Sequence, residues 1–249
     1  IVFGDWSSDV CSSDLFRDYK AQYGKTYLED LPNLRRMASA RLDIIERLLP
    51  AGPRGASVLD VGCAYGAFLA EAQSRGWNPA GTDVSGEAVS YVRGELGIPA
   101  FVADFSADDG DGLYPRPLDC VSLWYVIEHF SDLAKALARA RALLKEGGIL
   151  AFSTPSASGI SARRRLGSFL ENSPDDHMTV WDPGSLRRIL KPWGFDVQVV
   201  RVTGHHPERF SGVPNDPRSP RFKAMAVLSR LFGLGDTFEC YAVKRSAKG

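Results

Sequence analysis

Several things are scarce in this sequence, and each scarcity excludes a class of protein. The 249 residues carry 30 Lys+Arg and 30 Asp+Glu, so no net charge of either sign is left over. That removes the electrostatic ground for a nucleic-acid partner or a general membrane-surface partner. No apolar run approaches the length of a membrane span. The four cysteines, Cys11, Cys63, Cys120 and Cys240, are scattered and form no C-x-x-C pair. A zinc site or disulfide framework is therefore not expected, and reduced thiols in a cytoplasmic protein are the simpler reading. His205-His206 has no cysteine or regularly spaced acid beside it and reads as surface loop, so the metal expectation is none. Two phosphate-binding signatures are missing too. Gly62-Cys63-Ala64-Tyr65-Gly66 does not match the G-x-G-x-x-G of a dinucleotide fold, and no Lys-Ser/Thr follows it as a P-loop requires.

What is present is organised around Ser57 to Ala70, SVLDVGCAYGAFLA. Val58, Leu59 and Val61 make a short apolar run, as a buried parallel strand should. Gly62, Ala64 and Gly66 keep the following turn free of bulk. A helix starting at Ala67 then points its N–H groups and positive dipole end at that space. Such a strand, turn and helix build a cofactor crevice at the carboxyl ends of a parallel sheet.

The rest of the chain alternates strand and helix. A helix is expected over Asn33 to Leu49, ended by Pro50-Ala51-Gly52-Pro53. Strands are expected at Pro79 to Val84, Ala100 to Asp104, Leu118 to Trp124, Ile149 to Ser153 and Phe195 to Val202, with a last one at Thr237 to Lys244. Helices fall at Gly86 to Leu96, Asp132 to Leu144, Pro183 to Leu190 and Phe222 to Phe232. Lys145-Glu146-Gly147-Gly148 reads as a helix stop with glycine at the C-cap. The alternation argues for an α/β fold, a parallel sheet with helices on both faces. At 44% hydrophobic and 24% charged, the composition suits one sizeable globular domain with insertions.

The ends carry less. Ile1 to Leu15, IVFGDWSSDVCSSDL, has no period and nearly repeats SSD around Val10-Cys11. It resembles a translated sequencing-adapter fragment; a disordered terminus is the alternative. It is set aside as a tag would be, and on that reading the natural start is missing and Cys11 carries no chemistry. Residues 16–53 read as an N-terminal helical lid. Tyr19, Tyr23 and Tyr27 recur every four residues on one face, for a lid or for packing. Residues 54–249 form the main domain, with insertions at 154–182 and 203–235. In those insertions Arg163-Arg164-Arg165 offer a contact for an acidic substrate or, more simply, a solvated helix face. The Phe222 to Phe232 helix reads as core packing by default, and otherwise as a lid or docking helix.

Three acids sit at three successive strand ends: Asp60, Asp83 and Asp104. Parallel strands put those ends on one rim, where the acids can share a ligand. Asp83 can accept both hydroxyls of a ribose. Asp104 can accept from an adenine amino group, and Asp60 suits a cationic ligand head. A small-residue turn with a preceding acid fits a cofactor without phosphate and with a cationic centre. Tyr65, Trp124 and Tyr125 can face such a cation or simply pack. If the reaction deprotonates a hydroxyl, His129 and His177 are the candidate bases. Loop shaping by Glu128-His129 and an exposed loop position for His177 are the plain alternatives.

These motifs resemble class I S-adenosylmethionine-dependent methyltransferases, and within them the ubiquinone-biosynthesis-type and related small-molecule enzymes. VLDVGCAYG is similar to the family's glycine-rich first motif, with Ala64 where glycine is usual. GTDVS, VADF, LDCVSLWYVIEHFSD, LLKEGGILAFSTPS and DDHMTVWDPGSLRRILKPWGFDV follow in the family's order, covering about Ser57 to Val200. The resemblance implies a Rossmann-like sheet of seven strands in the order 3-2-1-4-5-7-6 with the last strand antiparallel. It implies S-adenosylmethionine as cofactor, held by Asp60, Gly62, Cys63, Ala64, Gly66, Asp83, Val84, Asp104, Phe105, Leu123 and Trp124. His129 and His177 are then the catalytic candidates, and the acceptor a small molecule methylated at oxygen. An NAD-dependent oxidoreductase and a non-catalytic cofactor-binding protein of the same fold are the alternatives.

Overall fold

The computed structural model describes residues 24–246 apart from 51, 107–113, 115–116 and 172. The adapter-like stretch, Tyr19 and Tyr23 therefore lie outside the described residues, as does most of the loop expected at Ser106 to Pro117. A seven-stranded sheet runs in the order β3-β2-β1-β4-β5-β7-β6. Its strands are β1 (Ser57–Val61), β2 (Asn78–Asp83), β3 (Ala100–Val102), β4 (Leu118–Trp124), β5 (Leu144–Pro155), β6 (Phe195–Thr203) and β7 (Thr237–Lys244). β1 pairs in parallel with β2 and with β4, and β2 with β3. β7 lies antiparallel to β6, with a register shift between Val197 and Val199. The expected order and the reversed last strand are both present.

The chain divides into two compact units, one running to Leu123 with Ala142–Ile149, the other Trp124–Arg141 with Leu150 onward. In the first unit, α1 (Leu31–Leu48) has a proline in its first turn, where a missing N–H costs nothing. It meets α2 (Ala67–Ser74) through Arg75, whose guanidinium reaches Asp43 at 2.8 Å, Glu46 at 3.1 Å and Glu71 at 3.3 Å. α3 (Gly86–Glu95) is capped by Ser85, whose hydroxyl accepts from the Ala88 N–H at 3.2 Å. Such a cap is worth about 1 kcal/mol. Cys63, Leu69, Val89, Val92, Ile98 and Ala100 pack as one buried cluster between sheet and helices. Tyr27 lies in a turn rather than on a helix, with its ring 5.7 Å from that of Tyr65.

The second unit holds all but the last two residues of α4 (Leu133–Leu143), capped by Asp132, which accepts from the Lys135 N–H at 2.9 Å. It also holds the short helices α5 (Ile160–Arg164), α6 (Leu166–Glu171) and α7 (Leu186–Leu190), and α8 (Pro220–Leu231). Its core includes Phe152, with the rings of Trp181 at 5.4 Å and Phe238 at 6.5 Å.

Three expectations need correction. The third strand ends at Val102, not Asp104; Asp104 instead accepts from the Ser106 N–H and hydroxyl at 2.8 Å each, which turns the chain. Gly147-Gly148 is no C-cap, because β5 already begins at Leu144. A Cβ on Gly148 would stand 2.9 Å from the Lys145 carbonyl and 3.2 Å from that of Leu118, so glycine there allows close backbone approach. α8 is helical as expected but does not bury its apolar face: Leu231 is 74% exposed, Phe232 68% and Val227 53%.

Candidate functional site

The turn after β1 hangs on the end of β2. The N–H groups of Gly62 and Cys63 donate to the Thr82 carbonyl at 2.7 and 3.1 Å. The Ala64 N–H donates to Asp83 Oδ2 at 2.8 Å, while Oδ1 accepts from the Ser85 N–H at 2.9 Å. Asp83 thus fixes the turn and the start of α3 at once. The carboxylate has about four lone-pair positions, more than the three backbone donors Ala64, Ser85 and Val84 take up, so it can still accept from a ligand hydroxyl. Burial raises its pKa and the backbone N–H groups of Ser85, Ala64 and Val84 oppose that rise.

The turn's backbone is left-handed at Gly62 (φ +68°), Ala64 (φ +45°) and Gly66 (φ +72°). Glycine is at home there, and Ala64 holds the conformation against a Cβ clash of about 1–2 kcal/mol. Gly66 also serves the packing. A Cβ on it would meet Leu96 Cδ1 at 2.6 Å and Val92 Cγ2 at 3.0 Å, so it admits the side chains of α3 and its cap.

Asp60 lies beneath the turn, 2% exposed, opposite Ser122 in the β1–β4 register. The Ser122 hydroxyl donates to its Oδ1 at 2.6 Å. Burial pushes its pKa up to about 7; Ser122 and the Arg41 charge oppose this, and Asp83 adds to it. The two carboxylates therefore feel each other, and both also push up the thiol of Cys63, which burial already raises. Val84 is 39% exposed at the rim, whereas Leu123 and Phe105 are each 2% exposed. Phe105 packs against Tyr114 at 5.7 Å, so it is a wall of the core rather than an open platform. Asp104 is exposed. Tyr65 is packed: its hydroxyl donates to Glu87 at 2.6 Å and its ring meets Tyr91 edge-on at 5.0 Å. Burial and Glu87 raise its pKa to about 12.

In the second unit, β4 ends at Trp124, half-buried with its ring 6.3 Å from Tyr241. Tyr125 follows at φ +60°, an uncommon setting for a bulky residue. A 3-10 turn, Ile127–His129, comes next. The Met178 and Thr179 N–H groups donate to the Glu128 carbonyl at 2.8 and 3.1 Å. That ties the insertion segment to the turn and brings the two histidine rings to 4.7 Å, nearly perpendicular at 85°. His129 Nδ1 donates to Asp176 Oδ2 at 2.9 Å. Burial disfavours a charged His129 ring, but Asp176 and Glu128 outweigh it and raise the pKa. Burial and His129 lower that of His177, and the His129 hydrogen bond lowers that of Asp176. Glu128 is 1% exposed. Burial pushes its pKa to about 7, partly offset by its own N–H, by His129 and by the nearby Thr154 hydroxyl.

The two histidines marked in the sequence are thus together, as are Asp60 and Asp83. Sequence reasoning missed Asp176, Ser122 and Arg41. Asp176 adjoins His177 in DDHM, but that adjacency alone does not say that it serves His129. His205 and His206 stand elsewhere, on Ser229 Oγ at 2.8 Å and Glu208 Oε1 at 3.0 Å.

A sheet in this order with an antiparallel seventh strand, and an acid-anchored glycine turn after β1, define the Rossmann-like methyltransferase class. The family described as "Methyltransferase domain" matches residues 28–200. An "Ubiquinone biosynthesis O-methyltransferase" of Thiobacillus denitrificans is 28% identical over 61% of this chain and 70% of its own. A SAM-dependent methyltransferase of Archaeoglobus fulgidus shares the fold at a TM-score of 0.63, with 19% identity over 92% of this chain and 99% of its own. The magnesium protoporphyrin IX methyltransferase of Synechocystis, solved with bound SAH, superposes at 0.59, with 16% identity over 96% and 97%. This chain belongs to that methyltransferase family, and it is an S-adenosylmethionine-dependent enzyme. The residues present fit the cofactor. Asp83 offers two oxygens at the end of β2, the turn is lined by small residues, and Asp60 places a buried acid under it.

Proposed function

We propose that the enzyme methylates a hydroxyl oxygen of a small molecule, with a quinone-like acceptor first among those to try and sugar-like or polyketide-like acceptors after it. The observation that carries the reading is Asp83, buried at the end of β2 and gripping both Ala64 and Ser85. It suits a ribose, and no phosphate-binding turn accompanies it. When bound, S-adenosylmethionine supplies a methyl group already activated as a sulfonium. Asp60, Gly62, Cys63, Ala64, Gly66 and Asp83 shape and charge the turn that receives the cofactor. Val84, Asp104, Phe105, Leu123 and Trp124 belong to the same reading, Phe105 and Leu123 as buried support. Aligning the acceptor and excluding water supply about 7–11 kcal/mol in favourable cases.

The chain leaves β4 directly into Tyr125–His129, and we place the acceptor hydroxyl at His129 and His177. Asp176 holds His129 by Nδ1, which leaves Nε2 to accept the hydroxyl proton. The expected setting is cytoplasmic, with Cys63, Cys120 and Cys240 as buried free thiols; no helix among the described residues is long and apolar enough to cross a membrane. The test is formation of S-adenosylhomocysteine with a panel of hydroxylated small molecules. His129→Ala or His177→Ala should lower turnover more than cofactor affinity. Labelled methyl recovered on nitrogen or carbon would overturn the oxygen assignment.

A further inference from the structure

The two histidines and their neighbour allow a different chemistry from plain base catalysis. We infer that Glu128, His129 and His177 form a binding site for one divalent transition-metal ion of the zinc class. One ligand atom from each lies within 4.8 Å of the others, with Glu128 buried and both histidines half-buried. Ligand atoms around a tetrahedral ion bound at about 2.0–2.2 Å stand about 3.3 Å apart. Closing the cluster therefore takes side-chain movements of about 1.5 Å at most, which leave the backbone untouched.

Three further observations point the same way. Glu128 Oε2 is buried and makes no well-formed hydrogen bond, the buried Thr154 hydroxyl nearby being its polar neighbour in that position. An orphaned buried carboxylate oxygen is costly unless something cationic meets it. Asp176 accepts from His129 Nδ1, which fixes the tautomer with the Nε2 lone pair free, the arrangement that orients metal-bound imidazoles. The Met178 and Thr179 N–H groups bind the Glu128 carbonyl, so the two chain segments that supply the ligands are already joined. Two imidazoles with one carboxylate favour a borderline ion such as Zn2+, Co2+ or Mn2+ over Mg2+ or Ca2+.

Three protein ligands leave at least one position for a water or hydroxyl oxygen, whose proton the ion acidifies. A pocket lined by Thr154, Phe169, His177 and Val180 adjoins the cluster. With the ion in place, His129 Nε2 is a ligand rather than a base. The inference thus revises the proton's route in the proposed reaction and does not depend on methyl transfer being correct.

The test uses full-length protein without a histidine tag, stripped with a chelator and titrated with Co2+ and then Zn2+. We expect one equivalent of Co2+ with visible d–d absorption, displaced by Zn2+. His177→Ala and Glu128→Gln should each weaken binding at least tenfold, and Asp176→Asn by about tenfold. The double variant His205→Ala/His206→Ala should bind as the wild type does. Should Glu128→Gln not fold, His177→Gln at its half-exposed position decides the matter. Absence of stoichiometric Co2+ binding, or binding indifferent to His177→Ala, overturns the site. Calorimetry of S-adenosylhomocysteine with the metal-free protein separates the two claims: if that ligand binds and cobalt does not, only the metal site falls.

Discussion

Asp60 holds a proton poised to leave near neutral pH. Burial beneath the turn lifts its pKa to about 7, against an ordinary value of 3.8. A carboxyl whose folded pKa is raised favours the fold while protonated. Its contribution is present in full below about pH 4 and is lost as pH rises to about 7, a few kcal/mol in all. A cationic ligand beside it pulls the pKa down again. S-adenosylmethionine binding near pH 7 should therefore release a fraction of a proton, and affinity should rise with pH through that range. Titration calorimetry in two buffers of different ionisation enthalpy measures the release. An unchanged proton count would put Asp60 out of reach of the cationic end. Asp83 makes a complementary case: Asp83→Ala removes both the proposed ribose acceptor and the anchor of the Ala64 and Ser85 N–H groups. Cofactor affinity should fall at least tenfold while the circular dichroism spectrum keeps its folded form. An affinity equal to the wild type's would move the ribose elsewhere.

Elements were legible in the sequence where a period and a terminator agreed. Thr237–Lys244 is the strand its alternation marks, and Leu118–Trp124 likewise. Boundaries slipped where a long-range contact decided them, as at Gly148 and Asp104. Helix α8 shows the deeper limit. Its apolar residues promise a buried stripe, yet the residue it buries is Ser229, whose hydroxyl meets His205 Nδ1 at 2.8 Å and whose carbonyl accepts from the Leu234 N–H at 2.8 Å. Periodicity finds the helix but cannot say which side the rest of the chain will cover. The energetic order of substitutions should follow the observed side. Leu231→Lys, at a position 74% exposed, should change stability by less than about 0.5 kcal/mol. Ser229→Ala should cost about 1 kcal/mol by stripping a buried partner from His205. Urea denaturation of the two variants checks the ranking, and a larger loss for Leu231→Lys would mean that α8 buries its apolar face in solution.

At the scale of the whole molecule, the strand order and the reversed last strand were carried by the motif resemblance, with helix–strand alternation giving only the class. The acids at the ends of β1 and β2 were legible because parallel strands put equivalent ends on one rim. Asp176 was not, since a partner to His129 drawn from 47 positions along the chain is a product of folding. The cofactor assignment makes a claim on the whole fold, because a ligand that binds only the native state stabilises it by mass action. At a hundredfold excess over its dissociation constant the gain is about 2.7 kcal/mol. For a chain of this size that raises the melting midpoint by about 5–10 °C. S-adenosylmethionine and S-adenosylhomocysteine should both produce such a shift in a thermal melt, and NAD at the same concentration none, since Gly62 to Gly66 offers no pyrophosphate cradle. The contrast tests the fold's cofactor class without any acceptor. A shift with NAD alone would mean that the turn had been assigned to the wrong ligand, while shifts with the two sulfur compounds would leave only the acceptor to be found.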